Sequence, residues 1–502
     1  MDLTEITKNL TGNNVFKYFQ ELAQIPRPSK QEQGVKDWLV GIANKFDLKH
    51  FEDKIGNIII YKPAQNSTSP QTLLLQAHMD MVCEKDPESN HNFQTDPIKL
   101  IIEGDKIRAD KTTLGADNGV GLCMILAVLE DRKISHPNLE CLFTTDEETG
   151  MEGVLNLDTT LLSPTKYINL DTEEENCVYI GCAGSTDFEF IWKPVLISPQ
   201  YSNFYTLKVE GLLGGHSGAD IHLNRGNAVK ILGQILMDLG EIENLNIQSI
   251  NGGNLRNAIP RFASSVIDFE HTIDLNLMEK ILQEKRAQLS GTEPDIKVSL
   301  EKTQAQIGKV LNFTQTLQLI NLINSVHFGV LEMSNEIAEL VQTSNNFSSI
   351  KTAENGEISF VCMTRSCVNS SLKSAVRQIL SPFIMLVGER LPNLCFKPYL
   401  ETFNLNNSTL CVSSTTPGWN PVPNNDLLSL FHKKHLGETG IKADQLAIHA
   451  GLECGVLSKY YPNLDIISFG PTIREAHTPN EHTSIKSIDN CFKLLVSVIN
   501  DI

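Results

Sequence analysis

Short apolar runs alternate with helical stretches over the first 190 residues of the chain. Four of these runs predict buried strands, at 56–61, 72–77, 139–144 and 167–170. The stretch 119–130 between them is apolar nearly all round, which predicts a helix buried against a sheet. Strands that alternate with helices in this way are typical of an α/β layered domain with a mostly parallel sheet.

The pattern changes after about residue 198. Segments 205–209 and 262–269 alternate apolar and polar residues, which predicts antiparallel strands with one solvated face. A helical stretch at 227–239 lies between them in the chain. From about residue 417 the α/β pattern returns, with a buried strand at 464–469.

These changes predict a domain inserted within a domain. Residues 1–190 and 400–502 are expected to form one α/β domain, and residues 198–399 an inserted α+β domain. The length agrees with this organisation, because 502 residues are too many for one ordinary hydrophobic core.

Composition narrows the class of protein. The 42 basic and 60 acidic residues give a net charge of −18. This charge argues against a protein that binds nucleic acid through a basic surface. No apolar run approaches the roughly 20 residues that cross a bilayer, and no signal-peptide pattern opens the chain. The 11 scattered cysteines form no Cys-x-x-Cys pair, so we expect reduced thiols and a cytoplasmic location.

Side chains that can bind a metal follow the predicted strands or lie just ahead of the buried helix. They are, in chain order, His78, Asp80, Asp117, Glu147, Glu148, Asp171 and His477. Because the carboxyl ends of the strands form the ligand crevice of an open α/β sheet, we expect these separate segments to converge on one site.

Two histidines and three carboxylates are enough for two metal ions if one carboxylate bridges them. Asp117 is the candidate bridge, and the other four ligands are His78, Glu148, Asp171 and His477. Imidazole and carboxylate donors at an open site suit zinc, with cobalt or manganese as substitutes. Asp80 is then available to orient His78, and Glu147 to take a proton from an attacking water.

Three stretches resemble the metal-site blocks of the M20 zinc peptidases: QAHMDMV at 76–82, TLGADNG at 113–119 and TDEETGM at 145–151. Six more blocks are similar to one branch of that family, the bacterial aminoacyl-histidine dipeptidases. They lie at 181–184, 214–218, 255–261, 417–419, 448–455 and 470–473. The resemblance extends from about residue 20 to about residue 490.

The resemblance implies a zinc-exopeptidase-like catalytic domain that hydrolyses dipeptides, preferentially Xaa-His such as β-alanyl-histidine, with a water activated by two metal ions. It implies that His78 and Asp171 bind one metal, that Glu148 and His477 bind the other, and that Asp117 bridges them. Glu147 would be the general base and Asp80 the orienting carboxylate. A cis peptide bond after Asp117 is also implied.

The inserted domain is a lid in this family. The resemblance implies that His216 stabilises the oxyanion that develops on the substrate, and that Asn257 and Arg365 hold the C-terminal carboxylate of the substrate. Gly451 would supply a backbone contact. We expect a small peptide as the partner and neither nucleic acid nor membrane, and a monomer and a homodimer through the lid both stay open.

Three alternatives stay open at this point. Another M20-like amidohydrolase, such as an N-acyl-amino-acid deacylase or a tripeptidase, would use the same metal chemistry and differ in its lid contacts. A non-catalytic relative would bind metal or peptide without turnover, although no ligand position is lost here. A serine hydrolase is disfavoured, because the segment around Ser217 lies in an antiparallel setting rather than on a strand-to-helix elbow.

Overall fold

The computed structural model of the chain describes residues 3–272, 274–303, 308–397 and 399–502. Its α-helices are α1 (Leu3–Thr7), α2 (Asn13–Leu22), α3 (Gln33–Lys45), α4 (Ala116–Glu130), α5 (Glu152–Leu155), α6 (Ala228–Gly240), α7 (Leu275–Leu289), α8 (Phe313–Ser325), α9 (Asn369–Leu386), α10 (Asp426–Thr439), α11 (Glu453–Tyr460) and α12 (Ile485–Ile499). Among the described ranges, no helix combines the length and the apolar character that a bilayer crossing requires.

The β-strands of the first half of the chain are β1 (Lys49–Glu52), β2 (Ile58–Lys62), β3 (Thr72–His78), β4 (Leu100–Glu103), β5 (Lys106–Ala109), β6 (Asn138–Thr144), β7 (Lys166–Asn169), β8 (Cys177–Cys182), β9 (Gly184–Trp192), β10 (Leu196–Ile197), β11 (Asn203–Glu210), β12 (Gly215–His216) and β13 (Leu245–Gly252). Those of the second half are β14 (Ala258–Ile259), β15 (Ala263–Phe269), β16 (Lys297–Lys302), β17 (Val310–Leu311), β18 (Gly329–Met333), β19 (Val341–Thr352), β20 (Ile358–Ser366), β21 (Glu401–Leu405), β22 (Ser408–Val412), β23 (Asp444–Ile448), β24 (Asp465–Ser468), β25 (Ile473–Arg474) and β26 (His482–Ser484).

The chain divides into two compact units. The first unit comprises Met1–Cys182, Pro421–Ala447 and Leu452–Ile502, and the second comprises Ala183–Asn420 and Ile448–Gly451. Each unit has its own large sheet, and the sheets differ in strand direction.

The first unit is built on an eight-stranded sheet in the order β1-β2-β6-β3-β7-β24-β8-β23. The four central strands β6, β3, β7 and β24 run parallel, while β2 and β8 join them antiparallel. The run Leu73-Leu74-Leu75 in β3 is fully buried, as expected for a strand covered on both faces. The predicted α/β fold with a mostly parallel sheet is confirmed.

Helix α4 packs against this sheet and is buried along almost its whole length. Its apolar residues cover all sides, so no side of the helix is suited to solvent. Gly121 allows the close approach, because a Cβ atom there would lie 2.4 Å from the carbonyl oxygen of Leu170. Asp117 lies in the first turn of this helix.

The second unit is built on a ten-stranded sheet in the order β16-β11-β15-β13-β19-β20-β9-β22-β21, with β18 also paired to β19. The neighbouring strands of this sheet run antiparallel. Helices α6, α8 and α9 contribute to its hydrophobic core, where Phe383 lies 5.4 Å from Phe188 and 5.3 Å from Phe190 between ring centroids. Antiparallel strands therefore follow the alternating apolar and polar pattern of the sequence.

The boundaries of the second unit differ from the predicted ones. Residues 183–190, 400–420 and 448–451, which the sequence predicts in the first domain, belong to the second unit. The reason is strand pairing, because β9 pairs with β20 and with β22, and β22 pairs with β21. The hydrogen bonds between β9 and β22 join segments more than 200 residues apart, and local hydrophobic patterns carry no record of them.

Candidate active site

The candidate metal ligands of the first unit lie where strands of the parallel sheet end. His78 is the last residue of β3, and Asp171 follows β7 by two residues. Glu147 and Glu148 lie in the turn after β6, and His477 follows the short strand β25. Strands β3, β6 and β7 thus bring their residues to the carboxyl edge of the parallel sheet, where the first turn of α4 and the segment after β25, a strand of a separate four-stranded sheet, join them.

His78, Asp117 and Asp171 form one group of possible ligands. The Nε2 atom of His78 lies 3.2 Å from Asp117 Oδ1 and 3.5 Å from Asp171 Oδ1. The His78 side chain is 1% exposed and that of Asp171 is 7% exposed, so the group is shielded from water. The peptide bond between Asp117 and Asn118 is cis, as the family resemblance implies.

Asp117, Glu148 and His477 form a second group. The Nε2 atom of His477 lies 3.2 Å from Asp117 Oδ2 and 3.2 Å from Glu148 Oε2. Asp117 therefore presents one carboxylate oxygen to His78 and the other to His477, which is the arrangement expected of a bridging ligand. Among the described residues, the buried Oε1 atom of Glu148 has no hydrogen-bond partner.

The electrostatic field of these groups is strongly negative. Hydrogen bonds to Asp117 and Glu148 raise the pKa of His477 to about 11. Burial acts to raise the pKa of Asp117, but hydrogen bonds from the two histidines hold it well below its usual range. A field that favours protonated imidazole also favours a divalent cation in its place, and the imidazole and carboxylate donors fit zinc, cobalt or manganese.

Asp80 connects the strand end of β3 to the turn after β6. Its Oδ1 atom lies 3.3 Å from His78 Nδ1, and its carboxylate accepts the backbone N–H groups of Glu147 and Glu148, both at 3.1 Å. Ser29 donates its hydroxyl to Asp80 at 2.7 Å. Burial acts to raise the pKa of Asp80, but these hydrogen bonds lower it to about 2, so Asp80 stays ionised as an orienting group must.

Glu147 is half-buried, and its carboxyl lies within metal-binding distance of the His78 and Glu148 donors. Burial raises the pKa of Glu147 well above its usual value, and the charges of Asp171 and Glu148 add to the increase. A carboxyl with a raised pKa holds a proton more readily than an exposed one, which is the property a general base needs after it has deprotonated water.

Two residues that the sequence analysis did not single out hold the loop before α4. Arg27 is buried and donates to the carbonyl oxygens of Met79 at 2.9 Å, Asp80 at 2.8 Å and Gly115 at 2.5 Å. Glu481 accepts backbone N–H groups at the other side of that loop, from Leu114 at 2.7 Å, Gly115 at 3.0 Å and Ala116 at 2.8 Å. Both contacts place main-chain atoms, so no motif of metal-binding residues could have revealed them.

Three candidate substrate-binding residues of the second unit, His216, Asn257 and Arg365, lie at or beside the segment of Ser217 and Gly218. A Cβ atom at this glycine would lie 2.2 Å from the carbonyl oxygen of His449, 3.2 Å from His216 Cε1 and 3.3 Å from Arg365 Cδ. Only glycine allows so close an approach. The carbonyl of Asn257 accepts the N–H of the preceding Ser217 at 2.7 Å. Gly451 ends the 448–451 segment that also carries His449.

His216 and Arg365 have the donors that their expected roles require. The Nδ1 atom of His216 accepts the N–H groups of Gly218 at 3.2 Å and Ala219 at 3.0 Å, so the ring proton of the neutral form lies on Nε2. Burial lowers the pKa of Arg365 to about 10, which leaves the guanidinium charged at neutral pH. Its Nε atom donates to the Ser217 hydroxyl at 3.4 Å.

A parallel sheet whose carboxyl edge carries two linked histidine–carboxylate groups defines a class of two-metal hydrolase. Comparison with known families agrees with this class. Residues 74–501 match peptidase family M20/M25/M40, and the chain belongs to that family. It is a peptide hydrolase, as the sequence analysis predicts.

Two relatives are similar over nearly their whole length. The cytosol non-specific dipeptidase of Escherichia coli (strain K12) is 32% identical over 498 residues, which cover 98% of each chain. The crystal structure of aminoacylhistidine dipeptidase from Vibrio alginolyticus superposes with a TM-score of 0.85 at 32% identity, and covers 99% of this chain and 98% of its own. Aminopeptidase PepT from Bacillus cereus, at 16% identity and a TM-score of 0.56 with 98% and 99% coverage, shares the fold.

Proposed function

We propose that this chain is a cytoplasmic metallo-dipeptidase that prefers Xaa-His substrates such as β-alanyl-histidine. The observation that carries the proposal is the carboxylate of Asp117, whose two oxygens lie 3.2 Å from His78 Nε2 and 3.2 Å from His477 Nε2. The names of the relatives in Escherichia coli and Vibrio alginolyticus support a dipeptide substrate, and the second supports a C-terminal histidine.

Two divalent cations, zinc in the first instance, fit the donors of the site. His78 and Asp171 would hold one cation, Glu148 and His477 the other, and Asp117 both. When bound, such cations supply Lewis-acid polarisation of the scissile carbonyl and lower the pKa of a nearby water.

Glu147 is the proposed general base. Its carboxylate takes a proton from the attacking water, and its raised pKa lets it keep that proton until the leaving amine accepts it. Asp80 holds the ring of His78 through Nδ1 and the backbone of Glu147, so it orients two of the participating groups at once.

The second unit is proposed to act as the lid. Arg365 and Asn257 bind the C-terminal carboxylate of the peptide, for which a guanidinium fork is well shaped. His216 donates from Nε2 to the oxygen of the scissile carbonyl as negative charge develops there. Gly451 contributes its backbone, and a second copy of the chain associates through this unit.

Release of free histidine from β-Ala-His and Leu-His tests the proposal. We expect hydrolysis by the metal-replete protein, loss of hydrolysis after chelation, and recovery when zinc, cobalt or manganese is added back. N-acetyl-histidine and a tripeptide are the competing substrates. Metal-replete protein that cleaves either of these and neither dipeptide contradicts the dipeptidase assignment and favours the deacylase or tripeptidase alternative.

A further inference from the structure

A row of buried polar side chains crosses the parallel sheet beneath the candidate ligands. Gln76 of β3 pairs in register with Asn169 of β7, and Asn169 pairs with Ser468 of β24. Gln76 precedes His78 by two residues, and Asn169 precedes Asp171 by two. Because side chains two residues apart on a strand share a face, Gln76 lies on the same face of β3 as His78, and Asn169 ends β7 just before Asp171.

The polar row is connected by hydrogen bonds. Asn169 Nδ2 donates to Gln76 Oε1 at 2.6 Å, and the hydroxyl of Tyr167 donates to the same oxygen at 2.7 Å. Ser468 donates its hydroxyl to Asn169 Oδ1. All four side chains are fully buried, so these hydrogen bonds satisfy polar groups that water cannot reach.

Glu453, the first residue of α11, completes this network. Its Oε2 atom accepts the hydroxyl of Thr144 at 2.7 Å and the side-chain amide of Gln76. Gln76 also donates to Thr144 at 3.2 Å, so the three side chains form a closed triangle. Thr144 is the last residue of β6, three residues before Glu147.

The burial of the Glu453 carboxyl destabilises the fold unless its contacts offset that cost. Its side chain is completely buried, and among the described residues its Oε1 atom has no hydrogen-bond partner. A buried carboxyl with one unpaired oxygen destabilises a fold, whereas an apolar residue would fill the same space without that penalty. The contacts that offset the penalty are made to the ends of the two strands that carry His78 and the Glu147–Glu148 turn.

We propose that Glu453 is a positioning residue of the candidate metal centre, which joins the ends of β3 and β6 through Gln76 and Thr144 and so places His78, Glu147 and Glu148. The inference rests on the proposed two-metal function. It assigns to Glu453 no contact with substrate or metal. The role requires a side chain of this length that carries an acceptor oxygen, which glutamine supplies and leucine does not.

The test compares Glu453→Leu with Glu453→Gln in the full-length protein loaded with Co²⁺. The readouts are the visible absorption spectrum of bound Co²⁺, its dissociation constant from chelator competition, and kcat and KM separately for β-Ala-His. We expect Glu453→Leu to alter the spectrum and to weaken Co²⁺ binding or kcat by about 10- to 100-fold, with KM little changed. Glu453→Gln is expected to stay within about 3-fold of the wild type.

Glu140 supplies the matched control. It is a buried glutamate on β6, near the opposite end of that strand, where it accepts the N–H and hydroxyl of Ser163. Glu140→Leu is expected to lower the melting temperature while leaving the Co²⁺ spectrum unchanged. If Glu140→Leu changes the spectrum as much as Glu453→Leu does, or if Glu453→Gln loses as much as Glu453→Leu, the positioning role is overturned.

Thr144→Val decides the question if Glu453→Leu does not fold. Valine keeps the shape of the side chain and removes the hydroxyl that Glu453 accepts, so we expect the same spectral change with a smaller loss of affinity. A wild-type spectrum and affinity in this variant would overturn the proposal. The Co²⁺ spectrum needs no substrate, so wild-type protein that binds two Co²⁺ ions but cleaves no dipeptide would refute the proposed function alone.

Discussion

Glu147 and Glu148 are neighbours in the chain, yet their side chains have different surroundings. Glu148 Oε2 lies 3.2 Å from His477 Nε2, within a candidate ligand group. Burial and the charges of Asp171 and Glu148 raise the pKa of Glu147 well above its usual range, whereas the hydrogen bond to His477 opposes the rise in the pKa of Glu148. Environment rather than residue type therefore separates the proposed base from the proposed ligand.

Glu147→Gln tests this separation. Glutamine preserves the size of the side chain but cannot take a proton, so we expect kcat for dipeptide hydrolysis to fall by about 10²- to 10⁴-fold. The content of bound zinc should remain near the wild-type value. Steady-state kinetics and metal analysis check both statements, with exposed Glu152→Gln as the control. Normal turnover in Glu147→Gln would refute the assignment of the base.

The surroundings of His449 predict how the stability of the fold depends on pH. The Nε2 atom of His449 is hydrogen-bonded to the hydroxyl of Ser344 at 2.7 Å, and burial, with the nearby charge of Arg365, lowers its pKa to about 3. In the unfolded chain this histidine has a pKa of about 6.5 and is protonated below that pH, whereas in the folded chain it stays neutral. This histidine therefore destabilises the fold increasingly as the pH falls from about 6.5 towards 3.

We expect the unfolding free energy of the wild type, relative to that of His449→Gln, to fall by about 1 kcal/mol between pH 7.5 and pH 5.5. Denaturant unfolding at the two pH values measures the difference. The exposed His271, whose side chain pairs with Glu243, gives a control variant, His271→Gln, that lacks the effect of burial. An equal pH dependence in the wild type and His449→Gln would contradict the prediction.

At the scale of elements, the loop before α4 shows how main-chain contacts place a ligand. Glu481 accepts four N–H groups from Leu114 to Asp117, and Arg27 binds the carbonyl of Gly115. A carboxylate that accepts several N–H groups acts as an external cap for the first turn of the helix. Asp117, in the first turn of α4, is therefore placed by the contacts of Glu481 and Arg27 with this loop.

Glu481→Gln tests the contribution of this cap. Glutamine places an amide N–H₂ group against backbone donors, so at least two of the N–H groups lose their acceptor. We expect the affinity for zinc to fall by about 10- to 100-fold. Chelator competition measures it, and Glu475→Gln, at an exposed position in the same segment, serves as the control. Unchanged zinc affinity in Glu481→Gln would show that the loop keeps its shape without the cap.

Most elements near the site follow from local patterns. The predicted strand 72–77 is β3, the predicted strand 139–144 falls within β6, and the buried helix 119–130 falls within α4. The turn geometry that brings Glu148 and His477 within 3.2 Å could not be predicted, because it depends on long-range contacts such as the hydrogen bond from the Glu148 N–H to Asp80 and those of Glu481 with the loop before α4.

At the scale of the whole molecule, the five ligands of the proposed two-metal centre all lie in the first unit. The residues are His78, Asp117, Glu148, Asp171 and His477. A cation that binds them stabilises the folded state of that unit by mass action, to an extent set by the ratio of free cation to its dissociation constant.

Hydrogen exchange with and without Zn²⁺ checks this consequence. At a free concentration about 100 times the dissociation constant, we expect the slowest-exchanging amides of β3, β6 and β7 to exchange up to about 100-fold more slowly. Helix α6 and strand β13 of the second unit serve as internal controls with little change. Equal protection of both units, or none in the first, would contradict a zinc site confined to these ligands.

The sequence by itself determined which residue types could bind two cations, the strands and the buried helix that carry them, and the membership of a peptidase family. These features are local, because apolar periodicity and short motifs extend over a few neighbouring residues. Only the tertiary structure decided that residues 183–190 and 400–420 join the second unit, and that Arg27, Glu453 and Glu481 support the site. These outcomes depend on hydrogen bonds between segments far apart in the chain, whose partners are chosen when the whole chain packs.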